Sequence, residues 1–175
     1  MSPDRSDRPD RPERIALHLL RHADAGDPEA WPGPDADRPL SAKGEAQAER
    51  LATFLHGARF TTDALISSPK VRARRTAEIV ADGLGAKVVI DDRLAEGVRP
   101  STVDAILRDA GSPARVVLVG HDPDFSEILS MLAGAPGLSM KKGAFARVDV
   151  RGGVADGRGT LRWLIPPDLL DRDRR

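Results

Sequence analysis

Leu20-Arg21-His22-Ala23-Asp24 closes a short apolar run, Ile15 to Leu20, and the reading of this stretch decides the fold. The run has the length and composition of a buried strand. A strand that ends in Arg-His delivers a guanidinium and an imidazole together to the carboxyl edge of a sheet. In open α/β sheets that edge is where ligands bind. An Arg-His pair alone arises by chance in any arginine-rich chain. It gains meaning here from two later segments, Ser67-Ser68-Pro69-Lys70-Val71-Arg72-Ala73 and Val119-Gly120-His121-Asp122-Pro123.

Outward from that strand, residues 23–40 are rich in Pro, Gly and Asp and read as a loop over the sheet edge. Ser41 suits the N-cap of a helix to about His56, whose Ala48, Leu51, Ala52 and Leu55 keep an i, i+3, i+4, i+7 spacing. Ala64 to Ser67 predicts a second strand. Pro69 fits the first turn of a helix that runs to about Leu84 and stops at Gly85. Lys87 to Ile90 predicts a third strand, and Val103, Ile106, Leu107 and Ala110 line a helix stopped by Gly111. Arg115 to Val119 is a continuous apolar strand, of the kind that parallel sheets bury on both faces. Phe125, Ile128, Leu129 and Leu132 form the core face of a further helix, closed by Gly134. Ala144–Val150 and Gly159–Ile165, joined through a Gly-rich turn, predict an antiparallel hairpin. Strands alternating with helices imply an α/β fold, a three-layer α/β/α sandwich with a mainly parallel central sheet and a C-terminal antiparallel hairpin. The expected organisation is a single domain over residues 15–165, between a disordered charged tail at 1–14 and a polar tail at 166–175.

Composition narrows the function. The chain has 175 residues, enough to bury a core, and no cysteine, which excludes disulfides, thiolate metal sites and a Cys nucleophile. Its 27 Lys and Arg balance 27 Asp and Glu, which argues against a nucleic-acid or anionic-membrane binder. Tyr is absent and aromatics are scarce, so stacking platforms for single strands are not expected. No apolar h-region follows the start and no run approaches membrane-spanning length, which makes the cytoplasm the expected location.

The predicted strands end in Arg21-His22, Ser67-Ser68 and Gly120-His121, and parallel strands bring their carboxyl ends together. Arg72, early in the following helix, can point back over the same edge. A helix beginning near Asp124 adds backbone N–H groups and a positive dipole end. Two arginines, two histidines and a helix N-terminus around one spot make a pocket for a dianionic tetrahedral group. A neutral imidazole there is a nucleophile toward phosphorus. No Gly-x-x-x-x-Gly-Lys-[Ser/Thr] loop is present, which disfavours a nucleoside triphosphatase.

These segments, with Leu40-Ser41-Ala42-Lys43-Gly44-Glu45-Ala46-Gln47-Ala48 between them, resemble the histidine phosphatase superfamily, related to phosphoglycerate mutase. The compact length and the Gly120-His121-Asp122-Pro123 segment are most similar to its small phosphohistidine phosphatase branch, the SixA type. The resemblance implies that His22 is the nucleophile that becomes transiently phosphorylated. It implies that Arg21, Arg72 and His121 bind the phosphoryl oxygens, with no metal and no other cofactor. It further implies a substrate that is either a phosphohistidine-bearing protein, such as a histidine phosphotransfer domain, or a small phosphorylated molecule. An ester substrate needs a proton donor for its leaving group, and Asp122 and Glu96 are the candidates. A small-molecule phosphomonoesterase, and a phosphate- or phosphoprotein-binding module without turnover, are the rival readings.

Neighbouring residues have simpler roles. Asp24 shapes the loop, Ser67 and Ser68 serve as turn and cap residues, and Arg74 and Arg75 lie on a solvated helix face. Trp31 and the 27–39 loop form part of the pocket rim. His18 and His22 would share a helix face, as zinc ligands do, only if the segment were helical, and it reads as a strand.

Overall fold

A computed structural model describes residues 12–171. Six strands and four α-helices follow one another: β1 (Arg14–Arg21), α1 (Ala42–Gly57), β2 (Ala64–Ser67), α2 (Val71–Leu84), β3 (Val88–Ile90), α3 (Pro100–Asp109), β4 (Arg115–Gly120), α4 (Asp124–Ala133), β5 (Phe145–Arg151) and β6 (Gly159–Ile165). They form one sheet in the order β3-β2-β4-β1-β5-β6. β3, β2, β4 and β1 are parallel to one another, while β5 runs antiparallel to β1 and β6 antiparallel to β5. The expected sandwich with a mainly parallel sheet and a C-terminal hairpin is what the chain forms.

The apolar runs are continuous because both faces of the sheet are covered. Successive side chains of a strand point to opposite faces. Val116 and Leu118 of β4 therefore pack with Val103 and Ile106 of α3 and Phe125 and Ile128 of α4. Val117 and Val119 pack with Leu51 and Leu55 of α1 and Ala77 and Val80 of α2. In β1, Leu17 and Leu19 join the first layer and Leu20 the second. His18 lies between the rings of Phe60, Phe145 and Trp163, and its Nδ1 is 3.0 Å from the Val116 carbonyl. It is a core histidine on a strand. Leu129 is fully buried in α4, and Leu129→Ala would cost about 2–5 kcal/mol.

Boundaries differ from expectation in a few places. α2 begins at Val71, so Pro69 precedes the helix, in a turn where the Ser68 hydroxyl accepts from the Lys70 amide at 3.3 Å. α3 ends at Asp109, which leaves Ala110 exposed. The charged tail expected at 1–14 lies outside the described residues up to residue 11, and Arg14 already belongs to β1. The polar tail expected from 166 is corrected over its first part. Pro167–Leu170 forms a 3-10 turn, with Pro167 buried and Leu170 packed on the α1/α2 layer, because its prolines and leucines have apolar surface to cover. Residues 172–175 lie outside the described residues.

Two tight approaches fix the carboxyl edge. A side chain at Gly120 would meet the Phe125 ring at 2.5 Å, so only glycine lets α4 start so close to the end of β4. A Cβ at Gly44 would lie 1.9 Å from the Asp24 carbonyl oxygen. The Ser41 hydroxyl accepts from the Gly44 amide at 3.1 Å and donates to Asp24 Oδ2 at 2.6 Å, and the Ser41 amide donates to the Asp24 carbonyl at 3.0 Å. Ser41 thus caps α1 and ties it to the chain just past β1.

Candidate active site

β1 and β4 end in register, Arg21 opposite Gly120, and the pairing runs one step further through the bond from His22 N to Gly120 O at 3.0 Å. This sets the rings of His22 and His121 with centroids 5.2 Å apart. Both are buried, as is Arg72, the second residue of α2. A charged side chain is buried only where partners satisfy it.

His22 Nδ1 is 2.7 Å from the carbonyl oxygen of Ala23. An oxygen acceptor at that atom places the ring proton on Nδ1 and leaves a lone pair on Nε2. Arg72 Nε donates to that Nε2 at 3.3 Å. Burial pushes the His22 imidazole down to about 3, against the bond to the Ala23 carbonyl and with help from Arg72, Arg21 and Arg38. The ring is neutral at physiological pH. Among the three arginines Arg72 has the larger influence on it, ahead of the sequence neighbour Arg21.

His121 Nε2 lies 2.7 Å from the Ser68 hydroxyl. That oxygen already accepts from the Lys70 amide; with its own proton directed to Nε2, the His121 ring proton sits on Nδ1. Nδ1 is buried and has no hydrogen-bond partner among the described residues, and the same holds for Arg21 Nε. Buried polar atoms without partners are rare. Arg21 Nε is a donor, and so is His121 Nδ1 when the ring proton is there. Burial, with His22, Arg72 and Lys70 nearby, pushes His121 down to about 3, against the opposing charge of Asp35.

Arg21 Nη1 donates to the Met140 carbonyl at 2.6 Å and to Asp122 Oδ2 at 3.3 Å. Asp122 also accepts from the Ser126 hydroxyl at 2.7 Å and the Ser126 amide at 3.3 Å, which ties Arg21 to the first turn of α4. Both its oxygens are committed as acceptors. The structure therefore brings together His22, Arg21, Arg72 and His121, with Asp122 behind Arg21. Glu96 is exposed and makes no hydrogen bond or ion pair with these residues.

Sequence reasoning missed Asp35 and Arg38. Arg72 donates Nη1 to the Asp35 carbonyl at 2.6 Å and Nη2 to Asp35 Oδ2 at 2.8 Å, while Arg38 Nε donates to Oδ1 at 3.0 Å. Burial alone would raise the Asp35 carboxyl, but the bonds from Arg38 and Arg72 hold it below the usual carboxylate range. Arg38 is itself buried, its Nη1 donating to the Ala25 carbonyl at 2.8 Å. The only signal in the sequence was a lone Arg in an otherwise acidic loop, just before the Ser41 cap. Arg74 and Arg75 pair with Glu78 and Glu45 on the surface. Among the described residues no group of three or more His, Asp or Glu side chains could hold a metal ion. No helix among them is long and apolar enough to cross a membrane.

An α/β sheet with two histidines and two arginines at its carboxyl edge defines a site for phosphoryl chemistry. Residues 17–98 match the family model of the histidine phosphatase superfamily (branch 1). An uncharacterized protein of Picosynechococcus sp. is 33% identical over 87% of this chain and 100% of its own length. GpmB of Escherichia coli, named for phosphoglycerate mutase, is 39% identical over 47% of this chain, which spans only 38% of that protein. The structure of the protein histidine phosphatase SixA complexed with tungstate superimposes with a TM-score of 0.77 at 25% identity, covering 90% of this chain and 100% of that one. The chain belongs to the histidine phosphatase superfamily. It is a phosphatase, of the SixA type.

Proposed function

We propose that the enzyme works through a phosphohistidine intermediate on His22 and removes phosphoryl groups from phosphohistidine on a signalling protein, such as a histidine phosphotransfer domain. The carrying observation is His22 Nε2, unprotonated, buried and facing Arg72, with Nδ1 held by Ala23. In the first step Nε2 forms a bond to phosphorus while the substrate N–P bond breaks. The leaving imidazole keeps that electron pair and takes a proton from water. In the second step water attacks the phosphoryl group, its proton passes to solvent, and the Nε2–P bond breaks to restore His22. Arg21, Arg72 and the Nδ1–H of His121 hold the phosphoryl oxygens, each charged donor contributing about 1.5–3 kcal/mol, more where the bond tightens as charge develops. None of these steps is routed through a metal.

The choice of a phosphoramidate substrate rests on the acid. An alkoxide leaving group needs a placed donor, whereas an imidazole nitrogen is basic enough to be protonated with less help. Asp122 has both oxygens engaged by Arg21 and Ser126, and Glu96 is exposed and makes no hydrogen bond or ion pair with a group of the pocket. Both facts favour phosphohistidine over a phosphate ester. The proposal places the enzyme in the cytoplasm. Phosphate release from a phosphohistidine-bearing transfer protein, with EDTA present, tests it. Wild type should turn over and His22→Ala, still folded, should not. Equal release by both would overturn the assignment.

A further inference from the structure

Beside the catalytic pocket lies a second recess of about 420 Å³, lined by ten residues of which five are cationic (Arg21, Lys43, Arg50, Lys141, Lys142) and three acidic. Lys142 lies 3.5 Å from Asp24, and Lys141 3.5 Å from Asp168. Lys43 and Arg50 have no hydrogen bond or ion pair with any described residue, and Arg50 Nε is buried from solvent. With five cations against three carboxylates, the recess keeps an excess of two positive charges, which an anion from outside would stabilise.

The recess adjoins the reacting centre. Arg21 lines it, and Asp24 follows His22 by two residues. The Gly143 amide donates to the carbonyls of both Arg21 and His22, at 3.1 and 2.9 Å, which anchors Lys141 and Lys142 at the same strand end. Lys43, Gln47 and Arg50 are spaced i, i+4, i+7 on α1, one stripe of about 10 Å. A stripe of that length exceeds a single phosphate or carboxylate and fits a run of acidic side chains on a macromolecule.

We infer that this recess is a docking site for an acidic segment of the phosphorylated protein, seated while the phosphoryl group enters beside His22. The link to catalysis rests on the proposed function; the anion-binding property does not. Cationic surfaces of this kind raise the rate of encounter with an acidic partner and lose that effect as salt rises.

Labelled hexaglutamate, titrated by fluorescence anisotropy into the full chain, provides the test. Neither Lys43 nor Arg50 belongs to the catalytic pocket, so the double variant Lys43→Gln/Arg50→Gln leaves it intact. Wild type should bind the peptide in a salt-sensitive manner, and the variant about five-fold more weakly. With the phosphorylated transfer protein as substrate, KM should rise by a similar factor at unchanged kcat, while hydrolysis of phosphoramidate, which has no second anionic group, stays as in wild type. Equal hexaglutamate binding by the two proteins would overturn the docking site. So would a wild-type protein that binds no hexaglutamate. A wild type that binds the peptide and releases no phosphate from the transfer protein would overturn the proposed function and uphold the recess.

Discussion

Asp35 grips Arg72 at two points, its carbonyl oxygen 2.6 Å from Nη1 and its Oδ2 2.8 Å from Nη2. The terminal nitrogens that a phosphoryl group would use thus each carry an internal acceptor, while Nε faces His22. The carboxylate stands in for part of the ligand.

Asp35→Ala keeps the backbone bond to Arg72 and deletes the competing charge. Removing one negative charge from a partly exposed neighbour is worth about 1 kcal/mol. Inorganic phosphate should therefore inhibit the variant about five-fold more tightly than wild type. An unchanged inhibition constant would show that the carboxylate does not compete.

Arg72→Lys should lower kcat by about a hundred-fold or more, because a single ammonium cannot donate to His22 Nε2, to Asp35 and to a phosphoryl oxygen at once. Steady-state kinetics on the transfer protein checks this, and an unimpaired lysine variant would place Arg72 outside the reaction.

Ser68→Ala removes the hydroxyl that lies 2.7 Å from His121 Nε2. Losing a hydrogen bond of that kind costs about 1–2 kcal/mol, so kcat should fall by about ten-fold. Ser68→Thr, which restores a hydroxyl, should recover most of it. A protein that tolerates Ala as well as Thr would mean that Ser68 only shapes its turn.

Stability should fall as pH falls below about 6.5. Burial lowers His22 and His121 to about 3 and His18 to about 4, so the fold keeps all three neutral where the unfolded chain, near 6.5, takes up protons. The unfolded state then binds more protons, and each histidine removes roughly 1.4 kcal/mol per pH unit down to its folded value. Asp24, Asp35 and Asp149 are shifted below 3.8, so their contribution is present above that value and is lost only at lower pH. Urea midpoints at pH 7.5, 6.0 and 5.0 should therefore decline stepwise from the histidines alone. A constant midpoint would mean that these rings take up protons in the folded protein as readily as in the unfolded chain.

The strands and helices that build the pocket were legible because their signals are local. β2 was read at its full extent, and Ser41, Gly85 and Gly134 mark helix ends by their own side chains or lack of them. His22, Arg21, Arg72 and His121 were legible because parallel topology forces strand ends together. Asp35 and Arg38 were not, since a loop without periodicity gives no hint of which residue folds back onto α2. The pull of Arg72 on His22 was hidden for the same reason: their contact spans fifty positions and depends on one side-chain direction. At the C-terminus, Pro167 and Leu170 misled in the other sense, because a few apolar residues among charges carry no pattern until a neighbouring helix offers them a surface.

The bonds between Ser41 and Asp24 have a consequence for how such enzymes diversify. The chain leaves the strand at Asp24 and returns to the same point at Ser41, stapled there by backbone and side chain. Everything from 25 to 40 is an excursion with its feet clamped together, and such excursions tolerate insertion, deletion and rewriting. Asp35, Arg38 and Trp31 all ride on it. The mouth of the pocket is in effect an exchangeable cassette, whose replacement would present a new face to substrates without moving His22 at its base.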